Sequence, residues 1–512
     1  MNLYSKLTVQ KNRYVDSVTL MQVRDKAMKI PGAVYAEVQM ATCANVEIMK
    51  ELGFEIPEDL GANDLACGIA ADTEETAQKI LALVSDMLDH KGTDEVTYDS
   101  IDDIDFEETG YNMVQISLPG EYATAEAEKA IRMGCDVFIF SDNVPLEEEL
   151  FLKQLGQEKG CLVMGPDCGV GLINGVCLGA GSVVRQGEIG VVGASGSGAQ
   201  EVSCIIEKCG FGVSQIIGTG GHDLYPQIGG ITMMEGIRRL EADPQTKVIA
   251  LVSKLADLGV MEKVLTFADT MTKPIVAVFL GGDETLFAGH KVKGAVSLEQ
   301  CAMLAVEELT GEKHTCGYTD EELAAITEQE IAKLAPTQKY FRGLFCGGTF
   351  TEESLIYFSK NNAGTALTSN LANKYSTQLA DPEVSEGNSI LDLGAENFTE
   401  KLPHPVFDSM LREKRLRTEL ADEQVAVVML DFITGPGVDE DPITEIAAVC
   451  KAANAGDRHV TFISAICGSE GDPQNVKEKT QLLRDSGVIV TGSNYQSTKL
   501  ASMMMAALEK RG

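Results

Sequence analysis

Cations are scarce in this sequence: 42 Lys and Arg stand against 77 Asp and Glu in 512 residues, a formal net charge of −35. Such a field repels nucleic-acid phosphates and anionic membrane surfaces, so neither is an expected partner. Long apolar runs are missing as well. No window approaches the roughly 18 uninterrupted apolar residues of a membrane-crossing helix, and the opening MNLYSKLTVQKNRYVDSV has no apolar stretch and no small-residue cleavage site. A soluble cytoplasmic chain is expected. The 13 cysteines form no C-x-x-C pair, so they read as reduced thiols, and no His/Cys spacing supports a zinc site. No G-x-x-x-x-G-K-[ST] loop occurs, which argues against ATP hydrolysis by this chain alone. No G-x-G-x-x-G opens the first strand after residue 111, which argues against a dinucleotide redox role.

Glycine is what the sequence has in excess, 50 of 512 residues, and such glycines gather in tight strand-to-helix turns. Strand-like apolar runs alternate with amphipathic helical stretches almost from end to end, the pattern of α/β layers with doubly wound parallel sheets. A small N-terminal α/β domain is expected over 1–110, with a helix from Asp16 to Lys29, strands at Val34–Met40 and Leu65–Ala70, and helices at Ala44–Leu52 and Thr73–Leu88. It closes on an acidic, aperiodic linker from Lys91 to Tyr111. Residues 111–186 give strand, helix, strand, helix, strand, a Rossmann-like unit, for which the resemblance given below implies the CoA-binding type. Two flavodoxin-type domains follow, 187–335 with a helical connector near Asp320–Leu334, and 336–512.

The last two domains read as a divergent repeat. GEIGVVGASGSGAQE (187–201) matches RGLFCGGTFTEE (342–353), VSQIIGTGGHD (213–223) matches NSILDLGAENFTE (388–400), KVIALVSK (247–254) matches QVAVVMLDF (424–432), and KPIVAVFLGG (273–282) matches HVTFISAICG (459–468). A strand that ends in Gly and Ser and opens into a helix leaves backbone N–H groups unpaired at the positive end of the helix dipole. Ser195, Gly196, Ser197 and Gly198 form one such start, and Gly347, Gly348 and Thr349 form a second. Each alone is read as a plain helix cap; the pair predicts facing sockets that close on one phosphate or acyl phosphate.

The motifs MGPDCGVGLINGV (164–176), GEIGVVGASGSGAQE and DPQTKVIALVSK (243–254) resemble the α subunit of succinyl-CoA synthetase, and the last 170 or so residues resemble the carboxyl domain of its β subunit. FSDNVPLEEEL (140–150), GPDCG, GASGSG, IGTGGHDL (217–224), RGLFCGGT, PHPVFD (403–408) and GSEGDPQ (468–474) resemble the FdrA family more closely, and in order they span nearly the whole chain. The resemblance implies a subunit of an acyl- or carbamoyl-transferring assembly, homo- or hetero-oligomeric, acting on a small molecule. One branch belongs to oxamate carbamoyltransferase of anaerobic allantoin breakdown, which interconverts oxalurate plus phosphate with oxamate plus carbamoyl phosphate. The alternatives are an NDP-forming acyl-CoA synthetase subunit, and a scaffold that kept the fold without the chemistry. The synthetase's ATP-grasp domain has no counterpart here, and its Gly-rich CoA loop is missing, so phosphate or carbamoyl phosphate is the expected ligand, with CoA a further candidate.

The resemblance also sorts the single residues. Gly289-His290 falls where the synthetase carries a phosphohistidine, with a surface-loop histidine as the alternative. Lys254 stands where the synthetase has a Glu beside it, and suits a bound carboxylate or carbamoyl phosphate. His222 is a candidate donor to an oxyanion, with a solvated loop histidine as the alternative. Gly220, Gly221, Asp431 and His404 are candidate substrate contacts, with a structural turn the alternative for His404, held between two prolines; Asp431, at a strand end, and Asp441, after a Gly-Pro-Gly turn, either orient a ligand or cap a loop. Cys168 reads as a buried thiol in preference to a nucleophile, and Met503–Met505 as core or subunit contact. Electrostatic stabilisation by backbone N–H groups, helped by Lys254 and His222, is the expected source of catalysis.

Overall fold

The computed structural model describes residues 3–511 apart from 16, 58, 90–97, 99, 363 and 401. The chain divides into two compact units, Met1–Thr109 and Gly110–Gly512. In the first, helices Ser17–Met28, Cys43–Glu51 and Glu74–Asp89 accompany a three-stranded sheet ordered Tyr4–Gln10, Leu65–Ala71, Ala33–Met40. Every pairing in that sheet is antiparallel, a departure from the parallel layers expected throughout. The strand Tyr4–Gln10 escapes a reading by periodicity because it lies at an edge and buries none of its residues fully. Of the expected acidic linker, 91–97 and 99 lie outside the described residues. Ile101–Asp103 forms a 3-10 turn and Phe106–Thr109 a short helix.

The second unit begins with three parallel strands, Met113–Ile116, Asp136–Ile139 and Val163–Met164, joined by helices Gly120–Arg132 and Leu146–Lys159. Two seven-stranded sheets follow. The first runs Lys293–Ala295, Ile275–Leu280, Val248–Lys254, Gln186–Gly193, Val213–Gly218, and ends in the antiparallel hairpin Val170–Ile173 and Val176–Gly179. The second runs Val488–Val490, Thr461–Cys467, Val425–Ile433, Tyr340–Phe345, Asn388–Asp392, Leu367–Ser369, Thr377–Gln378. Numbered from the first strand of each copy, the shared five strands are ordered 5-4-3-1-2 in both sheets, the doubly wound order of flavodoxin-like folds. Strands such as Ile275–Leu280 and Val425–Ile433 are buried along their whole length because helices cover both faces.

The two copies share one core, drawn from Val191, Val202 and Ile205 of the first and Phe341, Phe350, Met429 and Leu500 of the second. Polar bonds stitch the same seam. Glu201, on helix Gly196–Lys208, accepts the Asn494 N–H at 2.9 Å and so caps the closing helix Asn494–Glu509 of the other copy. Glu353, at the matching place on helix Gly348–Asn361, accepts the Leu298 N–H at 2.9 Å and caps the closing helix Leu298–Thr310 of the first copy. Each duplicate thereby satisfies a helix start that the other leaves open.

Candidate functional site

Strand Gln186–Gly193 ends against Ser195, whose Oγ accepts the Gly198 N–H at 3.1 Å as an N-cap. Gly198 is required there: a Cβ would lie 2.8 Å from Ser195 Oγ and 3.0 Å from Val252. The Gly196 and Ser197 N–H groups have no acceptor among the described residues, and both residues are half-buried at the surface. They are the unpaired donors that the first turn was expected to offer.

The second turn differs. Gly347 caps helix Gly348–Asn361 without a side chain. The Cys346 and Gly347 N–H groups both donate to Asp431, at 2.8 Å each. Asp431 is buried, and Arg412 sits 3.4 Å from its Oδ1 and also donates to its backbone carbonyl. Asp431, expected from the sequence to touch substrate, holds the chain's own amides with its two oxygens. The reason lies in the register. Gly193 is flanked by Gly218 and Val252, whereas Phe345 is flanked by Asp392 and, one step beyond the last pair, Asp431. The duplicates have the same shape and opposite electrostatics, anion-receptive in the first copy and carboxylate-lined in the second.

The turns meet. Ser195 Oγ and Thr349 Oγ1 are 2.6 Å apart, and Ser197 Oγ donates to Thr349 Oγ1 at 2.9 Å. These hydroxyls close the space between the two turns, where the facing sockets were to enclose an anion, and Gly196, Ser197 and Gly348 form the partly exposed rim around it. Lys254, at the end of strand Val248–Lys254, reaches that rim: its Nζ pairs with Glu352 at 3.0 Å and lies 3.9 Å from where a Gly348 Cβ would be. Asp392 flanks the same glycine, with Oδ2 2.8 Å from that point. Burial pushes its carboxyl up to about 6, against the pull of the Gly394 N–H and Lys254.

The remaining candidates separate. Gly220 has a left-handed φ of +84° and packs so closely on the Pro166 carbonyl that a Cβ would collide, and Gly221 faces Asp167. Their close neighbours belong to the 165–168 loop. His222 follows them with its side chain 41% exposed, Nδ1 3.3 Å from Glu149 and its ring 4.9 Å from that of Tyr225. None of these partners belongs to either glycine turn. Glu149 is locked by Lys153 at 2.7 Å, and Lys153 by Asp223 at 2.9 Å, all three fully buried. Asp223 in turn caps the helix start at Thr232 and Met233.

His290 is not in the site. Strand Lys293–Ala295 pairs in parallel with Val276–Val278, so His290 lies before the amino ends of the strands, whereas the glycine turns lie at the carboxyl ends. Asp269 at 2.7 Å and Glu262 at 3.4 Å take its two ring nitrogens, and the Asp269 bond raises its affinity for a proton. A phosphohistidine at this place would be a sheet's length from the rim. His404 is half-buried, and desolvation pushes it down to about 4. Its Nδ1 accepts the Val406 N–H at 3.2 Å while Nε2 presses on Gly394, so it shapes the loop after Asp392. Cys168 is buried over Gly218 with its thiol pushed up to about 12. Asp441 caps Thr444 at 3.0 Å and pairs with Lys479 at 2.7 Å, while Met504 and Met505 are core.

A family model described as a CoA binding domain matches residues 184–281, a second described as CoA-ligase matches 344–504, and a third described as AllF, heavy metal-associated domain, matches 1–101. Among the described residues of this chain no group of three or more His, Cys, Asp or Glu could hold a metal ion, and Cys67 is buried with its thiol pushed up to about 11. An Escherichia coli (strain K12) chain described as uncharacterized protein YahF is 38% identical over 509 residues, 97% of this chain and 98% of its own length. The Archaeoglobus fulgidus succinate–CoA ligase [ADP-forming] subunit alpha 1 is 27% identical over 210 residues, 39% of this chain and 70% of its own. An Acholeplasma sp ADP-forming sulfoacetate-CoA ligase subunit is 34% identical over 156 residues, 28% of this chain and 50% of its own.

Proposed function

Because the chain belongs to the FdrA family of succinyl-CoA synthetase-like proteins, we propose that this acyl-CoA ligase-like protein is the subunit that handles an acyl phosphate, binding its phosphate at the start of helix Gly196–Lys208. The carrying observation is the pair of unpaired N–H groups at Gly196 and Ser197, aligned with the helix dipole and set beside the Thr349 hydroxyl, with the Lys254 ammonium near Gly348 of the adjoining turn. Those donors stabilise charge that gathers on phosphate oxygens as the acyl carbon changes partner. Because His290 is remote, no histidine relay is invoked, and the acyl phosphate is a substrate in its own right. Carbamoyl transfer fits this directly: the bond from the carbamoyl carbon to phosphate oxygen breaks, a bond to the acceptor's nitrogen forms, and the acceptor loses a proton. Nucleotide chemistry belongs to another subunit of the assembly.

The match of the CoA-binding model to 184–281, a range that contains the same turn, favours a second reading in which a CoA thiol attacks the acyl phosphate to give a thioester and phosphate. The same two amides would hold a phosphate group of CoA. Thermal-shift and calorimetric titrations with inorganic phosphate, carbamoyl phosphate and CoA separate the readings: stabilisation by the first two supports carbamoyl transfer, stabilisation by CoA supports the ligase. Ser197→Asp sets a carboxylate at a helix start, which the helix tolerates and an anion does not. It is expected to abolish phosphate binding, as is the pair Ser197→Leu with Thr349→Leu. Undiminished phosphate binding in a folded Ser197→Asp protein would remove the site.

A further inference from the structure

Asp392 stands at the rim without having been singled out by the sequence pattern. It ends strand Asn388–Asp392, and its backbone is clamped: its N–H donates to Asn370 Oδ1 at 2.9 Å, and its C=O accepts from Asn370 Nδ2 at 2.9 Å. Its side chain, in a residue only 8% exposed, accepts the Gly394 N–H through Oδ1 at 2.9 Å. Oδ2 has no hydrogen-bond partner among the described residues and faces Gly348, the residue next to Thr349. At the matching position the first copy has Gly218. Resting on the phosphate reading above, we propose that Asp392 carries the proton of the transfer: with an anion on the Gly196 turn its Oδ2 is protonated and donates to that anion.

The step balances. As the acceptor attacks, the bond from acyl carbon to phosphate oxygen breaks with its electron pair on that oxygen. Asp392 gives its proton to the oxygen, and the proton released by the acceptor restores it. A carboxylate so near a dianion would repel it; a neutral carboxyl binds it, and burial already holds this group up to about 6. The charged groups around it are distinct in role. Lys254 is paired with Glu352, Asp431 is held by two amides and Arg412, and His404, pushed down to about 4, is neutral across the range.

Sulfate is the probe, because it stays doubly charged while phosphate itself titrates. In the wild-type protein its affinity is expected to fall about tenfold per pH unit above about pH 6, and calorimetry in two buffers of different ionisation enthalpy is expected to read uptake of one proton per sulfate at neutral pH. Asp392→Asn, which keeps the Gly394 bond and a donor toward the anion, is expected to bind sulfate with no pH slope. It is also expected to slow transfer by about a hundredfold or more. Glu353, pushed up to about 7, titrates in the same window, but it is spent on Leu298 and Asn494; the asparagine variant separates the two. A flat wild-type profile with no proton uptake, or an unchanged slope in Asp392→Asn, overturns the assignment while leaving the phosphate reading intact. No sulfate binding to either protein at any pH overturns both.

Discussion

Lys153 is a cation taken wholly out of water, with Glu149 and Asp223 as its partners. Replacing it by Met leaves two buried carboxylates uncompensated, which costs about 3–5 kcal/mol. Urea unfolding of Lys153→Met measures that loss, and the loop bearing Gly220 and His222 is expected to lose its order with it. His290 makes an opposite kind of prediction. Its proton affinity is raised in the folded protein by Asp269, so its contribution is present in full below the ordinary histidine value and is lost as pH rises through the raised one. The melting advantage of wild type over His290→Ala should shrink along that rise, with sulfate binding unchanged. Ser195, Ser197 and Thr349 were legible in the sequence because a Gly-rich strand-to-helix turn has a local signature. Asp392 was not, and Asp431 was read as a strand-end carboxylate without its place beside the second turn: which residue flanks a turn depends on the pairing register of neighbouring strands, and that is set by the packed sheet.

Among elements, the two closing helices are held by carboxylates of the opposite copy, and burial raises the proton affinity of both, Glu201 and Glu353. Burial pushes Glu353 up to about 7, so the folded protein retains a proton that the unfolded chain releases near its ordinary value of 4.5. Stability owed to this group is therefore present at low pH and is lost as pH rises from 4.5 to about 7. Glu353→Gln keeps an acceptor for the Leu298 N–H and should flatten that slope, with a relative gain of up to about 3 kcal/mol above pH 7, read from denaturant unfolding at several pH values. The elements themselves were mostly plain from periodicity and caps; the connector helix Asp320–Lys333 carries a full capping box between Thr319 and Glu322. The antiparallel hairpin Val170–Gly179, read as part of the preceding unit, instead extends the first large sheet, because four-residue strands carry too short a pattern to name their partner.

For the whole molecule, the duplicated order of strands was visible as a repeat of motifs, whereas the shared core across the two copies is a property of packing alone. Residues 110–512 form a compact unit in which both large sheets draw on that core. Expressed alone, they are expected to unfold in one calorimetric transition and to bind sulfate as the full chain does; two separated transitions would mean that the copies melt independently.

The crossed capping by Glu201 and Glu353 has an evolutionary corollary. A gene cut between the halves would yield two fragments, each with its last helix unfinished and each holding the missing piece of its sibling. Each half closes only against its sibling, on one chain or on two, so the halves must be made together even where their chemistry has diverged, with carboxylates at one turn and open amides at the other.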